Sequence, residues 1–454
     1  MNDWIDAEQH VERAHEFFEA NRLSEAEAEL REAIALNPDR AEWHFNLGLT
    51  LEAAGRRREA IDAFRRAHAL SPDEPQTALL IGVNLLRAAD DTGRPPDADA
   101  REAVAWLEEA RAHESGPRAD AAVHLIEAYA RVGDHDKAEV SFYLALQEAD
   151  ADRALAYVNI ADSLSERGEH ARAAAALREA AQLDPAMPGV YARLAGACAA
   201  MGRRERARRL YIRELRLNPG DVDTLIDLGA LLVEMGRPGE AAEKFRRALE
   251  IEPDNADAHY ELGVLELDAG RYERARRSLR LVLRLDPTDQ RARRRLAEIN
   301  ARTGRPRDAR AILVEQAAAL TRGGADLPAE DREELGLMLL DADAPAEAAR
   351  VLSTVLDPPS ADARLWRALS VALLRCGQRA AGVRAARRAR RLEPGGVADA
   401  HNIALALLES GQLRRAGVWI HHALAKAPTD PQLRRLRWRW RWARLGSAVA
   451  RVAR

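Results

Sequence analysis

Residues 222–287 repeat themselves at a shift of 34 residues. VDTLIDLGALLVEMGRPGEAAEKFRRALEIEP is followed by DNADAHYELGVLELDAGRYERARRSLRLVLRLDP. Leu228 falls on Leu262, Gly229 on Gly263, Gly236 on Gly270, Ala241 on Ala275, Phe245 on Leu279 and Pro253 on Pro287. A fixed period of this length makes each copy one supersecondary piece of a stacked array, in which every piece needs a neighbour on each side.

The residue types within one copy predict two helices. Leu225, Leu228, Gly229 and Leu232 recur at i, i+3, i+4 and i+7, so they share one face of the first helix. The small Gly229 lets a second helix come close, and Ala241 is the matching small residue on that helix. Gly236 is expected to end the first helix in the left-handed conformation, which costs glycine least. Pro238 suits the first turn of the next helix, where a backbone N–H is unpaired anyway. Ala241, Phe245 and Ala248 carry the second apolar stripe, and Pro253 stops it.

With its period near 34 and small residues at these places, the pattern resembles the tetratricopeptide repeat (TPR), bacterial type. The same register gives twelve repeats beginning at residues 7, 41, 75, 119, 154, 188, 222, 256, 290, 329, 363 and 397. The second is close to consensus, with Trp43, Leu47, Gly48, Gly55, Ala60, Phe64, Ala67 and Pro72; the first has Asn21 in place of the turn glycine. In the third, about nine residues are inserted near 90–99, and their breakers and acids predict a surface loop. The resemblance implies an all-α fold, a right-handed α-solenoid (superhelix) of stacked helix-turn-helix repeats with a C-terminal capping helix. Repeats one to nine take residues 1–320 and repeats ten to twelve take 329–430. The Gly-Gly segment 321–328 between them is a hinge candidate, and 431–454 forms a basic Trp/Arg-rich amphipathic helix.

A chain of 454 residues would ordinarily divide into several domains, but an array removes that inference. With 31% charged and 47% hydrophobic residues it reads as a soluble helical chain and not a disordered one. Lysine occurs only at 137, 244 and 426, which we read as codon bias and not as a nucleic-acid signal. Cys198 and Cys376 are isolated on apolar faces and are expected to be buried thiols. MNDWIDAEQH carries no secretory signal, and no run is long enough to span a bilayer, so the expected location is cytoplasmic, with the membrane surface left open by the tail. The net charge of −4 hides a polarity: residues 1–150 carry −16 and residues 360–454 carry +15.

The resemblance places the first helix of each repeat on the concave side. It directs the second, fifth, sixth, ninth, twelfth and thirteenth positions into the groove. In repeats seven and eight these include Asp223, Asp227, Asp257, Tyr260 and Glu261; in repeat nine they include Arg291, Arg294 and Arg295. An acidic stretch thus precedes a basic one. The Lys/Asn carboxylate clamp of some family members has no counterpart, since the nearest triplet gives Ile226, Ala230, Glu261, Arg291 and Arg295. The asparagine ladder of others has only Asn46, Asn159 and Asn402, none adjacent. There is no phosphate-cradling loop, no metal-ligand spacing and no room for a catalytic domain, so neither an enzyme, a cofactor nor a small-molecule substrate is expected. His421 and His422 point about 100° apart on a helix and cannot chelate together.

After Pro428, TDPQLRRLRWRWRWARLGSAVARVAR departs from the repeat. Asp430-Pro431 is a helix start. Leu433, Leu436 and Trp440 form a stripe that can cover the end of repeat twelve. A second stripe, Trp438, Trp442, Leu445, Val449 and Val452, lies where a partner helix of the same repeat would pack, but none follows. With Arg439, Arg441 and other arginines around it, this face suits an anionic membrane surface or a self-associating seam before intramolecular docking or single-stranded nucleic acid, and nucleic acid is not the expected partner. The expected function is a non-catalytic interaction scaffold or adaptor with a peptide or protein partner in its groove. The alternative is a peripheral membrane or self-assembling protein acting through the tail.

Overall fold

Each repeat folds as its pattern requires, into an antiparallel pair of helices. The computed structural model describes residues 2–88, 96–113, 116–322, 327–356, 362–394 and 396–452, and among them are twenty-five helices and no strand. The chain divides into two compact bodies, Met1–Ile251 and Glu252–Arg454. The first body pairs α1 (Asn2–Glu19) with α2 (Leu23–Leu36), α3 (Ala41–Ala53) with α4 (Arg57–Leu70), and α5 (Pro75–Ala88) with α6 (Pro96–Ala112). It continues with α7 (Arg118–Arg131) and α8 (His135–Gln147), then α9 (Arg153–Glu166) and α10 (His170–Leu183). Its last pairs are α11 (Val190–Ala200) with α12 (Arg204–Leu217) and α13 (Val222–Glu234) with α14 (Pro238–Ile251). The second body pairs α15 (Ala256–Asp268) with α16 (Tyr272–Leu285), α17 (Gln290–Arg302) with α18 (Pro306–Thr321), and α19 (Ala329–Asp341) with α20 (Pro345–Val355). Its further helices are α21 (Ala363–Arg375) and α22 (Arg379–Leu392), α23 (Val397–Glu409) and α24 (Leu413–Lys426), and α25 (Pro431–Val452), which has no hairpin partner among the described residues. Of the inserted loop near 90–99, residues 90–95 lie outside the described residues, as do 323–326 of the hinge candidate, whereas 96–99, expected as loop, already form the first turn of α6 because Pro96 suits a helix start.

The turn between paired helices has one recurring form. Gly236 sits at φ 72°, its N–H bonds to the Val233 carbonyl at 2.9 Å, and the Arg237 N–H reaches Leu232 at 2.9 Å. Those bonds satisfy carbonyls that the helix end would leave open. Asn21 and Asp343 hold the same place at φ 57° and 56°, the residue types that tolerate this conformation best after glycine.

The pair is held by contact between a small residue and a large one. A Cβ on Gly229 would stand inside the ring of Phe245, and one on Gly48 inside the ring of Phe64. Both rings are fully buried. At Gly263 the partner is Leu279 and the contact is looser, 3.0 Å to Cγ. Side-chain caps start several first helices: Asp221 accepts from the Thr224 N–H at 3.1 Å, and Asp289 from Ala292 at 2.8 Å. The buried carboxylate of Glu214 on α12 accepts from the Gly189 and Tyr191 N–H groups at 2.8 and 3.2 Å, anchoring the start of α11.

Successive first helices lie against one another: α5, α7, α9, α11 and α13 in the first body, α15 with α17 and α19 through α25 in the second. Of the second helices, only α18 and α20 make more than marginal contact with each other among the described residues. The first helices therefore form the inner wall of each body. Of the two thiols, Cys198 is buried, but Cys376, expected to be buried as well, is only half-buried because it caps the end of α21.

Candidate functional site

In the first body the inner wall opens into a groove of about 670 Å³ between α5, α7, α9 and α11. Its apolar lining includes Val83, Leu86, Ala130, Leu155 and Val158, and its charged lining includes Arg87, Glu127, Arg131, Asp162 and Arg193. Arg131 donates to the Leu86 carbonyl at 2.6 Å and pairs with Glu127 at 2.8 Å, which fixes it along the wall. Arg193 donates through Nε to Asp162 at 3.2 Å, and Arg87 lies 3.8 Å from Glu52. Asn159, one of the three ladder candidates, is already engaged: its amide donates to the Val123 carbonyl at 3.0 Å.

Burial acts on the titratable groups here. It pushes the Asp162 carboxyl above its ordinary range, against the pull of Arg193. His124 is pushed down to about 4 by burial and by the charge of Arg87, with Asp152 opposing. The imidazole is therefore neutral at physiological pH. Because the folded value lies below the ordinary 6.5, unfolding takes up a proton between about pH 4 and pH 6.5, and stability falls as pH drops through that window. Asp162 works in the opposite direction, so the test is a difference. His124→Gln is expected to lose less stability than the wild type between pH 7 and pH 4, measured by urea unfolding at each pH.

The residues that sequence reasoning singled out divide between the two bodies. Asp223 and Asp227 lie on α13 in the first. The Asp227 carboxyl is raised by loss of water and by the charge of Asp223, while a hydrogen bond from the Tyr211 hydroxyl opposes the rise. In the second body, Arg291 bridges to Asp257 at 2.8 Å and Asp289 at 3.2 Å, with its guanidinium 4.8 Å from the Tyr260 ring centroid. Arg295 pairs with Glu298 and Glu334, both at 3.0 Å. Burial raises the Glu261 carboxyl, with Arg291 opposing. Arg295 also lines a cavity of about 320 Å³ with Glu298, Arg302, Leu313, Glu334 and Met338.

Arg294 must be corrected. It does not line a groove: its side chain is 3% exposed and paired with Asp331 at 2.6 Å and Glu334 at 3.2 Å on α19. The fifth position of a repeat lies at the seam between neighbouring first helices, where Leu79, Val123 and Val158 are buried in other repeats. The groove of the first body was missed, yet the positional rule reaches it. Arg87 and Arg131 stand at thirteenth positions, Glu127 and Asp162 at ninth, and Arg193 at a sixth.

The closing helix α25 lies against both α24 and α23, as the first helix of a thirteenth repeat would. Leu433, Leu436 and Trp440 are buried, and the Trp440 indole donates to the Leu413 carbonyl at 2.7 Å. His421 and His422 belong to this packing: His421 donates to the Gly417 carbonyl at 2.7 Å, and His422 accepts from Arg390 at 2.8 Å. Trp438, Trp442 and Leu445 are 63%, 58% and 59% exposed, and the two indoles stand edge to face at 5.7 Å. Arg439 lies 3.9 Å from Glu409, and Arg441 is exposed. The side chains of Val449 and Val452 lie outside the described residues. No helix among the described residues is long and apolar enough to cross a membrane.

A family model described as Tetratricopeptide repeat matches residues 11–75 and 226–290, and a second of the same description matches 164–225 and 266–321. Among solved structures, a tetratricopeptide repeat protein from Parabacteroides merdae is 18% identical. It aligns over 57% of this chain and 100% of its own, with a TM-score of 0.46. Yeast Tom70 is 14% identical over 97% of this chain and 96% of its own, with a TM-score of 0.38. No curated protein sequence matches the chain.

Proposed function

The chain is a tetratricopeptide repeat protein, and on that premise we propose that it is a non-catalytic cytoplasmic scaffold holding a peptide segment of a protein partner against its inner wall. The observation that carries this reading is the groove between α5, α7, α9 and α11. Its volume of about 670 Å³ suits several peptide side chains, its floor is apolar, and charges of both signs stand along it. Apolar floor supplies affinity, and the flanking charges supply orientation and discrimination. Arg291, Arg295, Asp257, Tyr260 and Glu261 extend the same chemistry along the inner wall of the second body, and Asp223 and Asp227 along the end of the first. Arg87→Glu combined with Arg193→Glu is expected to weaken partner capture at least tenfold, about 1.4 kcal/mol, with each reversal lowering stability by about 1 kcal/mol or less, so that the protein stays folded. Undiminished capture would place the site elsewhere.

A second reading rests on the exposed face of α25. Trp438, Trp442 and Leu445 with Arg439 and Arg441 support a peripheral membrane or self-assembling role for the tail. Co-sedimentation with anionic vesicles, lost in Trp438→Ala/Trp442→Ala, is the expected result if lipid is the occupant.

A further inference from the structure

The register of the array explains why no second helix packs on the face of α25 among the described residues. Adding 34 residues to the start of α23 at Val397 gives Pro431, the start of α25. Trp438 then falls on the position held by Gly48, Gly229, Gly263 and Gly336, where a small residue admits the second helix of the repeat. An indole at that place bars the close approach that pairs such as α3–α4 and α13–α14 use. Leu445 likewise falls on the turn position held by Gly236, so the helix runs on instead of turning back. Whatever covers this face must accept two projecting indoles, which calls for a notch and not a flat helix.

A notch of that kind lies at the opposite end of the sequence. Between α1 and α3, over α2, is a cavity of about 400 Å³ with Val11, Phe18, Leu30 and Leu49 as apolar lining and Glu12 and Glu42 among its walls. Phe18 is 37% exposed there. Neither Glu12 nor Glu42 has an ion-pair partner among the described residues, and the same holds for Arg437 and Arg441 beside the indoles. The surrounding charge has the matching sign at long range, −16 over residues 1–150 and +15 over residues 360–454.

We propose that α25 of one copy seats Trp438, Trp442 and Leu445 in the α1–α3 notch of a second copy, so that the chains associate head to tail. This deepens the self-assembling form of the second reading and commits it to one occupant. The contact is heterologous, because one copy contributes α25 and the other the α1–α3 notch, and repetition of it builds a ring or an open filament. Apolar burial supplies attraction, and the arginine–glutamate pairing supplies orientation and salt dependence.

The test is sedimentation velocity of the full chain across concentration and salt, with two variants. The head variant is Glu12→Arg/Glu42→Arg, and the tail variant is Trp438→Ala/Trp442→Ala; all four side chains are exposed, so the fold is left intact. The wild type is expected to gain mass with concentration and lose it in high salt, and each variant alone to associate at least tenfold more weakly. Mixed together, the variants retain one good head and one good tail and are expected to form a dimer that grows no further. A wild type that stays monomeric overturns the proposal. So does association that survives in the head variant, which would mean a tail-to-tail contact, or concentration-independent closure within one chain. Binding to anionic vesicles by a chain that stays monomeric would overturn it too, leaving the membrane form of the second reading in place.

Discussion

Phe245→Ala is expected to destabilise the first body by about 3–5 kcal/mol, the range for emptying a buried aromatic site. The ring is fully buried and stands against Gly229, so its loss leaves a cavity between α13 and α14 that neither backbone can close. Approached from the other side, Gly229→Leu overpacks the same contact and is expected to cost about 3 kcal/mol, the upper part of the usual range. Gly263→Leu should cost less, because the new Cβ would meet Leu279 Cγ at 3.0 Å, whereas at Gly229 it would stand inside the Phe245 ring. Urea unfolding of the three variants gives the ranking directly. For the Phe245 and Gly229 variants, hydrogen exchange should place the added opening in α13 and α14, since a repeat array transmits stability mainly between neighbours. Variants at Phe245 and Gly229 that melt like the wild type would contradict the packing described for α13 and α14.

Arg294→Glu is expected to destabilise the second body by about 3–5 kcal/mol, toward the lower end because Asp331 and Glu334 keep some contact with water. The guanidinium is 3% exposed and neutralises two carboxylates on the next first helix. Reversal would crowd three acids at a buried seam. Arg291→Glu and Arg295→Glu sit in more exposed pairs, and each should change stability by about 1 kcal/mol or less. Thermal unfolding separates the three. The contrast matters for function, since reversing all three together would lose binding through unfolding and be mistaken for a contact effect.

The architecture was legible because its signal is repeated. A single Gly or Pro is weak punctuation, but small residue, turn residue and stop recurring every 34 residues leave little freedom in where helices begin. The first helices accordingly start within a residue of the expected positions, apart from α1 at Asn2 and α11 at Val190, while α6 begins at Pro96, inside the expected loop. The groove was less legible. The positional rule names which side chains face inward, but not how far apart neighbouring first helices stand, and that spacing decides where a groove opens. It opens beside Arg87, Asp162 and Arg193, whereas the change of charge sign drew the sequence reading to repeats seven to nine. Arg294 was misplaced because a charge at a fifth position was read as solvent-facing. The carboxylates that neutralise it, Asp331 and Glu334, come from the following repeat. Trp438 at a glycine position was visible in the register all along; its meaning depended on seeing α25 in the place of a first helix.

The inner wall of the first body can be probed directly by site-specific photo-crosslinking in cells. A photoreactive residue is placed at Glu166 or Arg193, which line the groove, and at Glu179, exposed on the second helix α10. A shared partner covalently trapped from Glu166 and Arg193, and not from Glu179, is the expected result. Trapping from Glu179 alone, or from none of the three, would contradict a scaffold that binds along its first helices.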